Sequence, residues 1–171
     1  MDPTSVFRMS EQQYWLMKSE PDVYGIDDLA RDGREPWNGI RNYQARNFLR
    51  DTMREGDLAL FYHSNASPPG VAGVMRIDSG PEPDGLAFDP ESQYYDPKSD
   101  PTDPTWIQRQ VAFVAKFPEM VPLAAIKADP ELEGIAVARR GQRLSIQPVS
   151  AAHFRYILKL GGLDELPGVF S

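Results

Sequence analysis

The sequence predicts an α+β fold rich in β-strands, in which a twisted, partly closed barrel has helices inserted around it. Three observations favour this class. Strand patterns outnumber helical ones, and they do not alternate with helices as a doubly wound sheet requires. The 16 prolines predict short elements separated by many turns. A length of 171 residues with 41% hydrophobic content suits one domain with one core.

The first part of the chain is predicted to start with a tail, a strand and a short helix. Residues 1–12 are polar and lack periodicity, so we expect a disordered tail before a single domain of residues 13–171. Residues 14–17 are aromatic and apolar, which predicts a buried strand that stops before Pro21. A short helix is expected at residues 26–31.

Residues 43–55 carry the clearest helical pattern. One stripe recurs at i, i+3, i+4 and i+7, which predicts a buried face made of Ala45, Phe48, Leu49 and Thr52. A second row, at spacings of four residues, consists of Arg46, Arg50 and Arg54.

The remaining elements are mainly strands, interrupted by one long connection. Strands are expected at 57–63, 71–78, 106–117 and 144–146, the last of them closed by Pro148. Residues 79–104 are rich in Pro, Asp and Gly and predict a long acidic loop excursion, either functional or mobile. A helical turn is expected at 122–128 and a last helix at 150–160, with Ser150 as its N-cap.

Charge is segregated along the chain, although the net charge is −7. Residues 78–103 contain eight acids and one base, whereas residues 31–54 contain six arginines and three acids. The arginines are explained either by a solvated helix face or by a local basic surface that binds phosphates.

Several classes of function are disfavoured. Without cysteine, the chain has no disulfide, thiolate metal site or cysteine nucleophile, and two histidines cannot form a zinc motif of the H-E-x-x-H type. Phosphate-loop, dinucleotide-binding and nucleophile-elbow motifs are missing. We therefore expect no metal and no cofactor. No signal peptide or membrane-spanning run is recognisable, so a cytoplasmic protein without membrane contact is predicted.

Polar residues concentrate in four strings that fall at predicted strand ends and turns. Each string alone has a structural explanation, since a tryptophan near a glycine is more often core, and a lone histidine is more often a hydrogen-bonded structural residue. The strings are Lys18-Ser19-Glu20-Pro21, Trp37-Asn38-Gly39-Ile40-Arg41-Asn42-Tyr43, Phe61-Tyr62-His63-Ser64-Asn65 and Arg143-Leu144-Ser145-Ile146-Gln147-Pro148.

Taken together, the four strings resemble the EVE domain family over residues 13–160. The resemblance implies a PUA-like pseudo-barrel of mixed strands, related to YTH and ASCH modules. It further implies binding of nucleic acid with a modified, extruded base, most often modified cytosine in DNA, in a pocket at one barrel mouth. A nucleic-acid partner and a monomeric, non-enzymatic protein are therefore expected.

The predicted base pocket draws on all four strings, because a flipped base needs an aromatic face together with fixed donors and acceptors. Its residues are Lys18, Ser19, Glu20, Trp37, Gly39, Arg41, Asn42, Tyr62, His63, Ser64, Ser145 and Gln147. Phosphate contacts are assigned to Arg41, Arg46 and Arg50, and the acidic excursion is expected to lie away from them.

Two alternatives remain open at this point. Lys18, Ser19 and Glu20 offer the groups of an ASCH-like amidohydrolase, although consecutive residues of a strand point to opposite faces. A protein-interaction module with a vestigial pocket would account for the acidic excursion.

Overall fold

A computed structural model describes residues 12–166, which form one mixed sheet with helices on both faces. The seven strands are β1 (Tyr14–Ser19), β2 (Arg34–Trp37), β3 (Leu58–His63), β4 (Gly70–Ile77), β5 (Glu82–Pro83), β6 (Ile107–Pro122) and β7 (Ile146–Val149). The α-helices are α1 (Pro21–Tyr24), α2 (Ile26–Asp32), α3 (Tyr43–Asn47), α4 (Leu123–Ala128) and α5 (Ala151–Leu160). The predicted β-rich α+β class is confirmed.

The sheet runs in the order β2-β6-β4-β3-β1-β7, and β5 pairs with the start of β6. The β1–β3 pair is parallel, and the other strand pairs are antiparallel. Strand β6 is long enough to pair with β2, β4 and β5, and irregular register where it meets β4 lets it bend. The central strands therefore carry continuous apolar runs that are buried on both faces.

Side chains that alternate along β1 and β3 divide the buried residues into two clusters. Leu16 and Leu60 face the cluster that α5 covers with Phe154. Trp15 and Phe61 face the cluster that α2 and α3 cover. No helix among residues 12–166 is long and apolar enough to cross a membrane.

The predicted helix at 43–55 differs from the observed one in its second half. Helix α3 continues as a π-helical turn at Phe48–Thr52, where Met53 N–H bonds to Phe48 O. The wider turn shifts the register, so Thr52 is exposed and Met53 is buried in its place. The buried guanidinium of Arg109 donates to the carbonyls of Leu49 and Met53. These two carbonyl groups, at the end of the helical segment, thereby gain hydrogen-bond donors.

Three further expectations change. Strand β7 lies at Ile146–Val149 and contains Pro148, which an edge strand tolerates because its outer N–H groups need no partner. The 79–104 excursion contains β5 and a 3-10 turn at Gly85–Phe88. Residues 1–11 of the predicted tail lie outside the described residues, whereas Gln12 Nε2 donates to Gly56 O at 2.8 Å.

Candidate nucleic-acid interface

The ends of β1 and β3 bring three of the four polar strings together. Parallel pairing sets Ser19 beside His63, and Ser64 N–H donates to Ser19 O at 3.0 Å. Lys18 N–H donates to Ser145 O at 2.9 Å, which attaches the 143–148 string to β1. These strings therefore lie at one end of the sheet.

Trp37 connects the remaining string to this end of the sheet. Its ring meets Phe61 edge-on with centroids 5.5 Å apart, and Phe61 meets His63 in the same manner at 5.6 Å. Trp37 is only 7% exposed and belongs to the buried cluster under α2 and α3. Its main contacts are therefore those of a core residue, which was the alternative explanation for this tryptophan.

Tyr62 does not offer the stacking face that the sequence suggested. It points to the sheet face opposite Phe61 and His63, where it is 3% exposed. The Nζ of Lys18 lies 5.7 Å from its ring centroid. Burial lowers the pKa of Lys18 and raises the pKa of Tyr62, because both charged forms lose water.

The polar groups on the other face are engaged within the protein. Ser19 Oγ donates to Tyr24 O at 2.6 Å. His63 Nε2 accepts from Ile26 N–H at 3.1 Å. The neutral imidazole thus provides the acceptor for an N–H group in the first turn of α2, which has no partner within the helix. Burial is the main cause that lowers the pKa of His63.

The amidohydrolase groups do not converge. Lys18 and Ser19 point to opposite faces, and the exposed Glu20 accepts a hydrogen bond from Asn65 Nδ2 at 2.5 Å. A Lys–hydroxyl–carboxylate arrangement at one point is therefore not formed by these three residues.

Arg41 is held by the acidic excursion, and its assignment to phosphates stays a prediction. Its Nη1 lies 3.0 Å from the fully buried carboxylate of Asp84, and its Nε and Nη2 donate to Tyr94 O. Its guanidinium carbon lies 5.2 Å from the Trp106 ring centroid. These contacts form a clamp that we define as Arg41, Asp84, Tyr94 and Trp106.

Gly39 and Asn42 shape the chain beside the clamp. Gly39 has φ of +77°, donates its N–H to Asp84, and lies under the Tyr94 ring, where a Cβ would approach to 3.1 Å. Asn42 is the N-cap of α3, because its Oδ1 accepts from Ala45 N–H at 3.0 Å. Both residues therefore have a structural role.

The acidic excursion was expected to lie away from Arg41, Arg46 and Arg50, and this expectation is wrong at Arg41, which Asp84 and Tyr94 hold. Arg46 Nη1 donates to Thr105 O at 3.0 Å, and its guanidinium lies 5.0 Å from the Tyr43 ring centroid. Arg50 is exposed and pairs with Asp51 at 2.8 Å. The clamp holds the excursion beside Arg41, which precedes α3, and the β5–β6 pairing attaches it to the sheet.

A cleft of about 340 Å³ opens along the outer edge of β7. We call it the β7 cleft. Of the predicted base-pocket residues, only Gln147 lines it. Its walls are formed by Gln44, Phe48, Gly134, Ile135, Ala136, Arg139, Gln142, Leu144, Gln147, Pro148, Val149, Ser150 and His153.

Gln147 is the notable group in this cleft. It is 1% exposed, and its Nε2 donates to Leu144 O at 2.8 Å. No group within residues 12–166 donates to its Oε1, and this atom is the one buried side-chain acceptor there without a partner. A buried acceptor is normally satisfied, so an exception of this kind calls for an explanation.

Comparison with known protein families identifies the family of this chain. The model of the EVE domain matches residues 13–160. The chain belongs to the EVE domain family. Human thymocyte nuclear protein 1 is 39% identical over 166 residues, which cover 86% of this chain and 73% of that protein.

Solved structures agree with this membership. The crystal structure of human THYN1 protein in complex with DNA that contains 5-methylcytosine is similar to this EVE domain with a TM-score of 0.81 and 38% identity. The match covers 90% of this chain and 100% of the human one. A YTH domain from Zygosaccharomyces rouxii shares the fold alone, with a TM-score of 0.52 and 13% identity. The expected relationship to the PUA-like fold is thereby confirmed.

The residues missed by the sequence argument are those that line the β7 cleft from outside the four strings. Gln44 follows Tyr43 on α3, and Phe48 begins the π-helical turn after it, so the helical segment next to the 37–43 string was an available signal. Ile135, Arg139 and His153 had no comparable signal. Among the described residues, no group of three or more His, Asp or Glu side chains is placed to hold a metal ion.

Proposed function

We propose that this EVE domain binds DNA that carries 5-methylcytosine and recognises the modified base in a pocket, without catalysing a reaction. The observation that carries the proposal is its similarity to the human THYN1 protein in complex with such DNA, over nearly the full length of both chains. An extruded base is recognised by stacking and by hydrogen bonds to its Watson–Crick edge.

Contacts made by the four polar strings support a shared role in building such a pocket. The Lys18–Ser145 hydrogen bond fixes the segment that leads to Gln147. The Asn42 cap fixes the start of α3, and this helix with the π-helical turn after it brings Gln44 and Phe48 to the β7 cleft. In this proposal, the strings mainly position the pocket walls.

Ser19, Glu20, His63 and Ser64 remain proposed pocket residues at the strand ends. Their internal hydrogen bonds favour a supporting role over direct contact with the base.

Arg46 and Arg50 are the proposed phosphate contacts. Arg50 is exposed, and Arg46 lies beside the exposed ring of Tyr43. Phosphate contacts position a strand and add affinity without reading the sequence. We also propose a cytoplasmic location and a monomeric reader.

The absence of a catalytic step is supported by the separation of Lys18, Ser19 and Glu20. The minority proposal of amidohydrolase activity would need a lysine with a hydroxyl and a carboxylate at one atom. A simple check is to incubate the protein with 5-methylcytidine and N4-acetylcytidine and to follow the products by chromatography, for which we expect no turnover.

The proposal is tested by equilibrium binding to labelled DNA that differs at one position. Matched oligonucleotides carry either 5-methylcytosine or cytosine and are measured as single strands and as duplexes. We expect the methylated form to bind about tenfold tighter, because an apolar wall that accommodates one methyl group discriminates by roughly this factor. Equal affinity for the two bases in both formats would contradict the proposal.

A further inference from the structure

We propose that the turn at residues 139–143, which precedes β7, binds the phosphate groups of DNA through Arg140 and Arg143. Its sequence is Arg139-Arg140-Gly141-Gln142-Arg143, and we call it the arginine turn. This inference rests on the proposed function and extends it, because it assigns a second surface to the sugar–phosphate backbone, separate from Arg46 and Arg50.

The first argument is the distribution of charge. Residues 134–163 contain five lysines and arginines and no acidic residue, although the chain has a net charge of −7. Three of these five bases, Arg139, Arg140 and Arg143, fall within the arginine turn. Close like charges repel one another, whereas a polyanion that lies against the turn is attracted by each guanidinium. The cluster is therefore explained by an external anion.

The second argument is the lack of carboxylate partners. Arg34 and Arg50 are exposed, and each forms an ion pair with an aspartate, at 2.9 Å and 2.8 Å respectively. Arg139, Arg140 and Arg143 are also exposed, but none of them forms an ion pair with a carboxylate of residues 12–166. The arginine turn thus presents three cations that the described part of the protein does not neutralise.

The third argument is that the arginine turn is held in place on both sides. Val137, before the turn, and Ile146, after it, are buried in the two core clusters. Gln142 N–H donates to Arg139 O at 3.2 Å, and Leu144 N–H donates to Gln142 Oε1 at 3.2 Å. A surface that is ordered before binding loses less conformational entropy when it binds. The turn is therefore suited to hold a ligand.

The location of the arginine turn separates it from the arginines of α3. Arg139 and Gln142 line the β7 cleft, whereas Arg46 donates to Thr105 O beside the acidic excursion. The turn is therefore a second basic surface of the domain, next to the cleft and away from the excursion's contact with Arg46.

The chemistry of the side chains identifies the anion. A guanidinium presents paired N–H donors that match two oxygen atoms of one phosphate, and phosphates recur along each strand of DNA. Arg140 and Arg143, on one turn, therefore suit the phosphates of one strand. Such contacts increase affinity for every sequence and do not read the base.

The experiment measures binding of the Arg140→Gln, Arg143→Gln double variant to a labelled duplex at several salt concentrations. Loss of two phosphate contacts should reduce the slope of log K against log salt by about two units and weaken binding about tenfold or more near 0.1 M salt. The loss should be equal for cytosine and 5-methylcytosine, because phosphate contacts do not read the base. Arg139 keeps its hydrogen bond to Gly134 O in this variant.

Two further variants serve as controls. Arg31→Gln with Arg34→Gln changes the net charge equally, on α2 and β2, and the strand order places β2 and β7 at opposite ends of the sheet. This control should keep the wild-type slope. Arg140→Lys with Arg143→Lys retains both cations and should keep most of the slope.

The inference is wrong if the Arg140→Gln, Arg143→Gln variant keeps the slope of the wild-type protein. It is also wrong if the Arg31→Gln, Arg34→Gln control lowers the slope as much, because net charge would then account for the effect. The proposed function fails separately, when wild-type protein binds DNA with cytosine as tightly as DNA with 5-methylcytosine.

Discussion

The clamp around Arg41 gives a prediction whose size follows from its contacts. We expect Arg41→Gln to lower the free energy of unfolding, because Asp84 would stay fully buried without its cationic partner. Removing one partner from a fully buried ion pair costs about 3–5 kcal/mol. The Arg41 side chain is 22% exposed, and the N–H groups of Gly39 and Leu86 still donate to Asp84, so we take about 2–3 kcal/mol.

Loss of the donors to Tyr94 O adds about 1 kcal/mol, which brings the expected loss to about 3–4 kcal/mol. For a protein of this size, the loss corresponds to a melting temperature lower by about 10 °C. Urea unfolding followed by tryptophan fluorescence measures the change. Arg31→Gln is the control, because Arg31 pairs with Asp28 and Asp32 while its side chain is 66% exposed, and such surface pairs contribute little to stability.

A double-mutant cycle shows whether Asp84 is the partner responsible. Asp84→Asn should destabilise the wild-type protein more than the Arg41→Gln background, with a coupling energy of about 1.5 kcal/mol or more. If Arg41→Gln is as stable as Arg31→Gln and instead reduces the salt dependence of DNA binding, Arg41 contacts phosphates and the clamp has no structural role.

Three other predictions concern separate parts of the domain. Trp37→Ala should reduce the free energy of unfolding by about 3–5 kcal/mol in urea, because it removes a buried ring that packs on Phe61, whereas stability close to wild type would indicate a surface role. The pKa of His63 is lowered in the folded state, so the unfolded chain binds more protons below pH 6.5; stability should fall as pH decreases from 6.5 towards 5, and His63→Gln should lessen this dependence in pH-resolved melting curves. The Arg46→Ala, Arg50→Ala double variant should flatten the salt dependence for duplex DNA by about two logarithmic units per decade and leave base preference intact, and an unchanged slope would exclude both residues from the phosphate path.

The periodic elements were predictable because burial enforces their pattern. The alternation around Leu58 and Leu60 and the apolar run at Trp15 gave strands in the correct places. The end of α3 was not predictable, because a single π-helical turn moves Met53 into the position expected for Thr52. Such a turn depends on the distant Arg109, which no local pattern contains.

The candidate site was predictable in its location along the chain but not in its contacts. The strings around Ser19, His63 and Ser145 meet because β1, β3 and β7 are neighbours in the sheet. Which side chains keep free hydrogen-bonding groups depends on partners such as Tyr24 O and Asp84, and sequence spacing does not reveal those. Sequence spacing likewise did not reveal that Arg41 contacts Asp84 and Tyr94; the six arginines in residues 31–54 suggested a cation that faces solvent.

The position of β1 between β3 and β7 has a consequence for synthesis of the chain. Trp15, Leu16 and Met17 leave the ribosome early, but their partners on β7, residues 146–148, are made near the other end of the domain. At about 5–20 residues per second, the delay is on the order of ten seconds, during which an apolar strand has an open edge. We therefore expect the nascent chain to need a holding chaperone until β7 arrives, and a chain that stops before Ile146 to aggregate.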